Sequence, residues 1–480
     1  MPKTYNNVYS YMRELLCRNT GWTLRSLRVP ALALLLSPVW GVGGAATASA
    51  QETPVTLEEV RRMAAEGHPD VLAARARSDA AFREWDVARA YRLPSLAAEF
   101  DAVRSTDPVA AFGSRLRQGR FTEADFAPHR LNEPDALGDW GAGLGLEWAP
   151  LDPAASSVAR ASEALARAAG LGSDWAARAA AFRAELHYLE SVGAEAHLHA
   201  ARTSAQAARE NLRVTERRME EGLATEVDVL QARAARENAR AEVIRAERQI
   251  RDSRERLGLA LGWDGDRIPV PADRDFPSLP VSTRTLAARD VEGRPDLQAS
   301  RARLVASASR VEEARRQRLP SMEGFARVGT HAHAPLSSPE ANWTLGLRVR
   351  LPLFTGGALT NRVQALEAER LATRKEHDFL VREAEVEMGE AIRALESAED
   401  ALGAAVAAAR ASGEAARLMR RRYEQDLATA ADLVTVESRA ARDAAREVSA
   451  ATSRAMAAAR VRFLTATHDR PETPNSGDSR

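Results

Sequence analysis

Cysteine is all but missing from this 480-residue chain, with Cys17 the sole example. Everything downstream of it is therefore barred from disulfide stapling and from cysteine nucleophile chemistry. No cysteine follows the apolar stretch near the N-terminus, which also rules out a lipid-anchored start. Lysine is nearly absent, represented only by Lys3 and Lys375, and aromatic residues make up 5%. Beyond residue 50 no run of about 18 apolar residues occurs, so no transmembrane helix is expected. That absence does not bear on membrane β-strands, whose sequence signal is much weaker.

Chemical motifs are missing as well. There is no Gly-rich phosphate loop, no Gly-x-Ser-x-Gly elbow and no His-Glu-x-x-His pair, and no two carboxylates stand out from the charged surfaces. No catalytic site and no cofactor are expected. His197 and His199 fall two apart on a helix, where they point to nearly opposite sides. His331 and His333 follow a strand without an evident Cys, Asp or Glu beside them and read as an exposed loop, so no metal site is expected. Basic and acidic residues balance at 67 each. Leaving out the first fifty residues tips the charge to about −4, which does not indicate a nucleic-acid partner.

What is present is alanine, arginine, glutamate and leucine, a composition of long helices. Residues 1–50 read as a signal peptide: Arg13, Arg18, Arg25 and Arg28 precede the apolar Val29–Val42 segment, and Ala48-Ser49-Ala50 forms a small-residue cleavage site. The remainder is a duplication. His68-Pro69-Asp70-Val71-Leu72 returns as Arg294-Pro295-Asp296-Leu297-Gln298, and Arg92-Leu93-Pro94-Ser95 as Arg318-Leu319-Pro320-Ser321, both offset by 226 residues. Arg217 to Leu230 returns as Arg421 to Val434 at a shorter offset. The difference is an extra segment in the first copy, about Asp101 to Asp139.

Each copy repeats one order. A helix ends near the Arg-Leu-Pro-Ser motif, where proline stops propagation. Period-two alternation follows, as in Leu96, Ala98, Phe100 and Ala102, and most clearly in Trp343, Leu345, Leu347, Val349 and Leu351. These are strands with one apolar and one polar face. A helical run then fills each copy, Ala154 to Glu221 and Leu359 to Gln425, each roughly 100 Å if unbroken. Heptad steps at Val229, Val243, Ile250 and Leu257, and at Leu395, Leu402, Ala409, Ala416 and Tyr423, predict coiled hairpins with close-packed alanine seams. The expected organisation is a first repeat over 51–261, a Pro-rich linker over 262–281, a second repeat over 282–467 and a disordered tail over 468–480.

Four short amphipathic strands cannot close a barrel alone, whereas three chains would supply twelve and leave an open lumen. Trp140 and Trp343 begin their strands, as membrane-interface aromatics should. A soluble hairpin packed on the helices would show the same alternation.

The duplicated helices, the Arg-Leu-Pro-Ser entries, the Pro352-Leu353-Phe354-Thr355-Gly356-Gly357 exit and the hairpin-tip motif together resemble the TolC-type outer-membrane efflux proteins, from Thr56 to about Leu464. The resemblance implies a mainly α fold with four transmembrane β-strands per chain. It also implies a homotrimer with a twelve-stranded barrel set in outer-membrane lipid, above a long periplasmic α-barrel. A periplasmic adaptor and an inner-membrane pump are the implied partners, and efflux or type I secretion the implied task. The rival readings are a periplasmic adaptor, which needs only one hairpin, and a coiled-coil scaffold.

The two tips, Gly222-Leu223-Ala224-Thr225 and Asp426-Leu427-Ala428-Thr429, carry the implied adaptor-docking residues. Glycine suits the left-handed turn at a helix end and threonine the next N-cap. The resemblance places a gate latch on Tyr423 and Asp228, expected to share a hydrogen bond. A second, arginine–threonine latch falls on Ala428 and Val227 and is missing. Asp432 matches one of two entrance-ring aspartates, with Thr435 at the other position; it also suits the first turn of a helix. The extra segment joins the first two strands, at the outer end. It is open whether it narrows the pore or is an ordinary outer loop.

Overall fold

A computed structural model describes residues 51–263, 267–277, 291–335, 337 and 340–465. The expected signal peptide and tail lie outside the described residues. Five strands and eight helices suffice to place the site. The first copy contains β1 (Gln51–Val55), α1 (Leu57–Gly67), α2 (Pro69–Ala90), β2 (Ser95–Ser105), α3 (Pro108–Arg117), β3 (Leu137–Leu151), α4 (Ala155–Glu220) and α5 (Glu226–Ala260). The second contains α6 (Pro295–Arg316), β5 (Ser321–Ala332), β6 (Glu340–Arg350), α7 (Ala358–Glu424) and α8 (Ala430–Leu464). Between them lies one further strand, β4 (Arg267–Pro271).

The Pro-rich linker expected over 262–281, so far as it is described, carries this strand. β4 pairs in parallel with β1, Gln51 opposite Arg267 and Val55 opposite Pro271. Pro269 and Pro271 cannot donate to a ladder, but in a two-stranded edge pair their outer sides need no partner. Tyr188, fully buried on α4, donates to the Asp273 carboxylate at 2.6 Å and ties the segment to the helices.

The long helices are held by small side chains. Ala384, Met388, Ala391 and Leu395 of α7 meet Ala455, Ala458, Ala459 and Val461 of α8, with Leu189 of α4 completing one core across both copies. A parallel core joins Tyr188, Val192 and Leu257. At Gly193 of α4 an added Cβ would come within 2.4 Å of Thr452 Oγ1 on α8, so glycine is what lets these two helices approach. No described helix is long and apolar enough to cross a membrane.

The second layer is a four-stranded antiparallel sheet in the order β2-β3-β5-β6. Leu144 stands opposite Ala98 on one side and Val328 on the other, and Trp343 stands opposite Val328 on β6. The register gathers Leu96, Phe100, Leu144, Leu146, Val328, Trp343, Leu345, Leu347 and Val349 on one face. Glu99, Asp101, Asp139, Glu147, Glu323, Arg327, His331, Arg348 and Arg350 gather on the other. β2 and β6 are the edges, and each has one unpaired side.

Candidate functional site

Two regions combine unusual exposure with built geometry: the hairpin tips and the sheet. At the first tip α4 ends with Gly222 in the left-handed region (φ +74°). Leu223 N–H reaches back to the Arg218 carbonyl at 2.7 Å and Gly222 N–H to that of Met219 at 3.0 Å. This is a Schellman turn, which satisfies carbonyls a helix end leaves bare. Thr225 then caps α5: its hydroxyl donates to Asp228 Oδ2 at 2.7 Å, its amide donates to the same oxygen at 2.9 Å, and Asp228 N–H returns to Thr225 Oγ1 at 3.3 Å.

The second tip repeats every step. Asp426 takes the left-handed position (φ +62°), and Leu427 N–H reaches the Arg422 carbonyl at 2.8 Å. Thr429 and Asp432 form the cap, with 2.7 Å between hydroxyl and carboxylate. The hydroxyls of Thr225 and Thr429 hold the Asp228 and Asp432 carboxyls below the usual aspartate range, helped by the cap amides. Leu223 and Leu427 project into solvent, 56% and 61% exposed.

The expected Tyr423–Asp228 hydrogen bond is not made within the chain. Asp228 is spent on its own cap, and Tyr423, 3% exposed, is satisfied elsewhere. Its hydroxyl lies 3.1 Å from Thr215 Oγ1. Thr215 already gives its one proton to the Asn211 carbonyl at 2.8 Å, so Tyr423 is the donor. Arg218 completes the join between hairpins. Its guanidinium lies 4.6 Å from the Tyr423 ring centre, donates to the Tyr423 carbonyl at 2.7 Å and pairs with the Asp426 carboxylate. One turn further in, Glu437 accepts from Asn211 and from Arg420, the latter at 2.6 Å. Burial pushes the Glu437 carboxyl up despite its arginine partner.

No sequence signal marks Arg218. The duplication equates it with Arg422, which bonds the Leu427 carbonyl of its own tip at 3.3 Å and does not cross. Ala428 and Val227, the positions of the absent second latch, carry no polar side chain, and Val227 is exposed.

On the sheet, Trp140 and Trp343 each occupy the fourth residue of their strands, on the apolar face. Trp343, Leu345, Leu347 and Val349 are 77%, 73%, 64% and 62% exposed, an uncovered row that water would penalise. At the loop end His331 Nδ1 lies 3.2 Å from Asp139 Oδ1 on the neighbouring strand, correcting the reading of His331 as a loop residue with no acidic neighbour. No cluster of three metal-ligating side chains occurs among the described residues.

Two amphipathic strand pairs joined in one edge-open sheet of four, carried on two long coiled hairpins with capped tips, define a β-sheet membrane protein with a helical extension. The sequence matches the family model described as outer membrane efflux protein over residues 60–263 and 289–467, and the chain belongs to that family. It is 32% identical to Protein CyaE of Bordetella pertussis over 238 residues, 48% of this chain and 46% of that protein. It thus spans about half the length of this relative. It is 28% identical to Outer membrane protein OprJ of Pseudomonas aeruginosa over 358 residues, 72% of this chain and 70% of that one. The fold matches the crystal structure of a membrane protein from Pseudomonas aeruginosa with a TM-score of 0.74 at 21% identity, covering 91% of this chain and 99% of that one.

Proposed function

We propose that three copies of this chain close a twelve-stranded barrel in the outer membrane and continue it as a helical tube through the periplasm. The assembly is a passive exit duct for an efflux or type I secretion system. One observation supports this above the others: the sheet has two unpaired edges and an uncovered apolar row, so it is complete only with neighbouring strands and lipid. The polar face, with Arg327, Arg348 and Arg350, becomes the wall of a wet lumen. A periplasmic adaptor and an inner-membrane pump supply docking and energy, with the leucines of the two tips as the contact for the adaptor.

At the tips, the Arg218–Tyr423–Asp426 join fastens one hairpin of each chain to the other and keeps the entrance narrow. Asp432 acts first as a helix cap; three copies around a threefold axis also make the entrance electronegative and favour cations. The test is reconstitution of the purified protein in planar bilayers together with its mass in detergent. A trimer that conducts is the expected result. A monomer without conductance that leaves the outer membrane on a salt wash would instead support the adaptor or scaffold reading.

A further inference from the structure

The segment that only the first copy possesses is folded, and it lies on one side of the sheet. Asp107 caps α3, accepting from the Ala110 amide at 2.7 Å, with Pro108 at the first helical position. Behind it Phe112, Phe121 and Phe126 stack edge to face at 4.9 and 5.1 Å. Asp125, buried, is gripped by Arg115 and by Arg130 at 3.5 Å, and the Thr122 amide and hydroxyl hold its carboxyl below the usual range. This small unit is built to keep a shape.

Its attachment point decides where it sits. Asp139 on β3, with 5% of its side chain exposed, accepts from Ser114 Oγ and Arg117 Nη2, both at 3.1 Å, and from Gln118 Nε2 at 3.0 Å. His331 is on its fourth side. Asp139 and His331 share the face that carries Asp101, Glu99, Arg327 and Arg348. Gly119, just past α3, lies against the side chain of Glu340 on that same face. The insertion is thus laid over the polar face, and the apolar row is left bare.

We propose that residues 106–136 lie inside the barrel as a constriction of its outer mouth, clamped through Asp139, and that they limit the size of what leaves. The inference rests on the trimeric-channel reading. Twelve strands about 4.8 Å apart and tilted by roughly 40° enclose a ring about 24 Å across. Three helices of about 10 Å diameter need a circle about 22 Å across. That ring is measured between strand backbones, and the inward side chains of the strands narrow it by roughly 10 Å, so three copies of α3 more than span the opening. They rest on it lightly: a cavity of about 260 Å³, lined by Asp101, Val103, Arg117 and His331 among others, separates α3 from the sheet. Besides the Asp139 clamp, Gln118 Nε2 also donates to the Gly138 and Ala332 carbonyls of the sheet at 2.9 and 3.4 Å, and these bonds must let go for the passage to widen.

The mature chain offers a clean reporter, since no cysteine follows Cys17. Thr344→Cys places a thiol on the polar face, four residues or roughly 13 Å along the strand from Glu340. Leu345→Cys places one on the apolar face. Intact cells are treated with a small cationic methanethiosulfonate or with a bulky polyethylene-glycol maleimide. This is done with the insertion present, with 107–135 replaced by a short Gly-Ser turn, and with the full-length release variant Arg117→Ala/Asp139→Asn. The small reagent should modify Thr344→Cys in all three and Leu345→Cys in none. The bulky reagent should modify Thr344→Cys at least an order of magnitude faster in the shortened or the released protein. Equal rates for the bulky reagent in all three would overturn the constriction. A Thr344→Cys that the small reagent never reaches would instead refute the channel reading on which it stands.

Discussion

Arg218 joins two hairpins with one guanidinium, and each of its contacts has a separate cost of removal. The bond to the Tyr423 carbonyl is charge-assisted and sheltered, since only 14% of the arginine side chain is exposed. Such bonds contribute about 1.5–3 kcal/mol and the ring contact about 0.5–1 kcal/mol. The pairing with Asp426, itself 60% exposed, is screened and adds less. Arg218→Ala should therefore loosen the second tip by about 2 kcal/mol, roughly thirtyfold in local hydrogen exchange, and raise channel conductance. Tyr423→Phe removes one buried bond and should cost only about 1 kcal/mol; an equal effect of both would deny Arg218 its place. Glu437 adds a pH dependence. Burial raises its folded-state pKa above the unfolded one, so between the two the folded tip holds more protons. Its stability is highest below about pH 4.3, the unfolded glutamate value, and falls as pH rises through the raised one. Asp228 and Asp432 work in the opposite sense, their caps being lost only as pH falls through their depressed values. Tip exchange, corrected for its intrinsic rate, should slow as pH is lowered through the raised Glu437 value toward about 4.3, and Glu437→Gln should abolish that trend.

The elements around these residues follow local rules, which is why so many were readable in advance. Pro69, the Arg-Leu-Pro-Ser motifs and the tip threonines mark helix ends by stereochemistry that needs no tertiary partner. The helical runs therefore end within a residue or so of their expected limits, Ala155–Glu220 and Ala358–Glu424. The strands were legible because alternation and duplication agree, although β3 extends three residues either side of the Trp140 to Trp148 core. What was not legible depended on distant partners. β4 exists only because β1 lies beside it, and α3 was hidden in a stretch whose helix is only 10 residues long. Tyr423 and Asp228 failed to pair for a related reason: a carboxylate with a threonine three residues away takes that bond before one across the bundle. The caps can be tested directly. Thr225→Ala and Thr429→Ala should each cost about 1 kcal/mol, seen as faster exchange in the first turn of α5 or α8. Gly222→Ala should cost a similar amount, because its backbone is left-handed. A loss confined to the mutated tip is expected; exchange that rises equally at both tips would show that the turns are not independent units.

At the scale of the whole molecule, one chain is unfinished in a way its own residues cannot repair. The helical cores are closed by Leu189, Met388 and Leu395, while the sheet leaves an apolar row and two edges open. Water is a poor solvent for that row and an open edge invites pairing, so the sheet needs both lipid and other strands. The two demands are met together if edges join between chains and the row turns outward. Neighbouring positions on β6 separate the two environments. Leu347 belongs to the outward row and Arg348 to the inward one, where it lies 3.6 Å from Glu323. Leu347→Arg should cost about 2–4 kcal/mol per chain where lipid surrounds it. If three copies assemble as proposed, the assembly carries the change three times over, and little protein should be recovered from the outer membrane. Arg348→Leu leaves the lipid face untouched, so it should assemble as wild type and change only the ion preference of the lumen. If Leu347→Arg assembled normally while Arg348→Leu did not, the sheet would have to be turned inside out, and the polar face would lose its claim to the lumen.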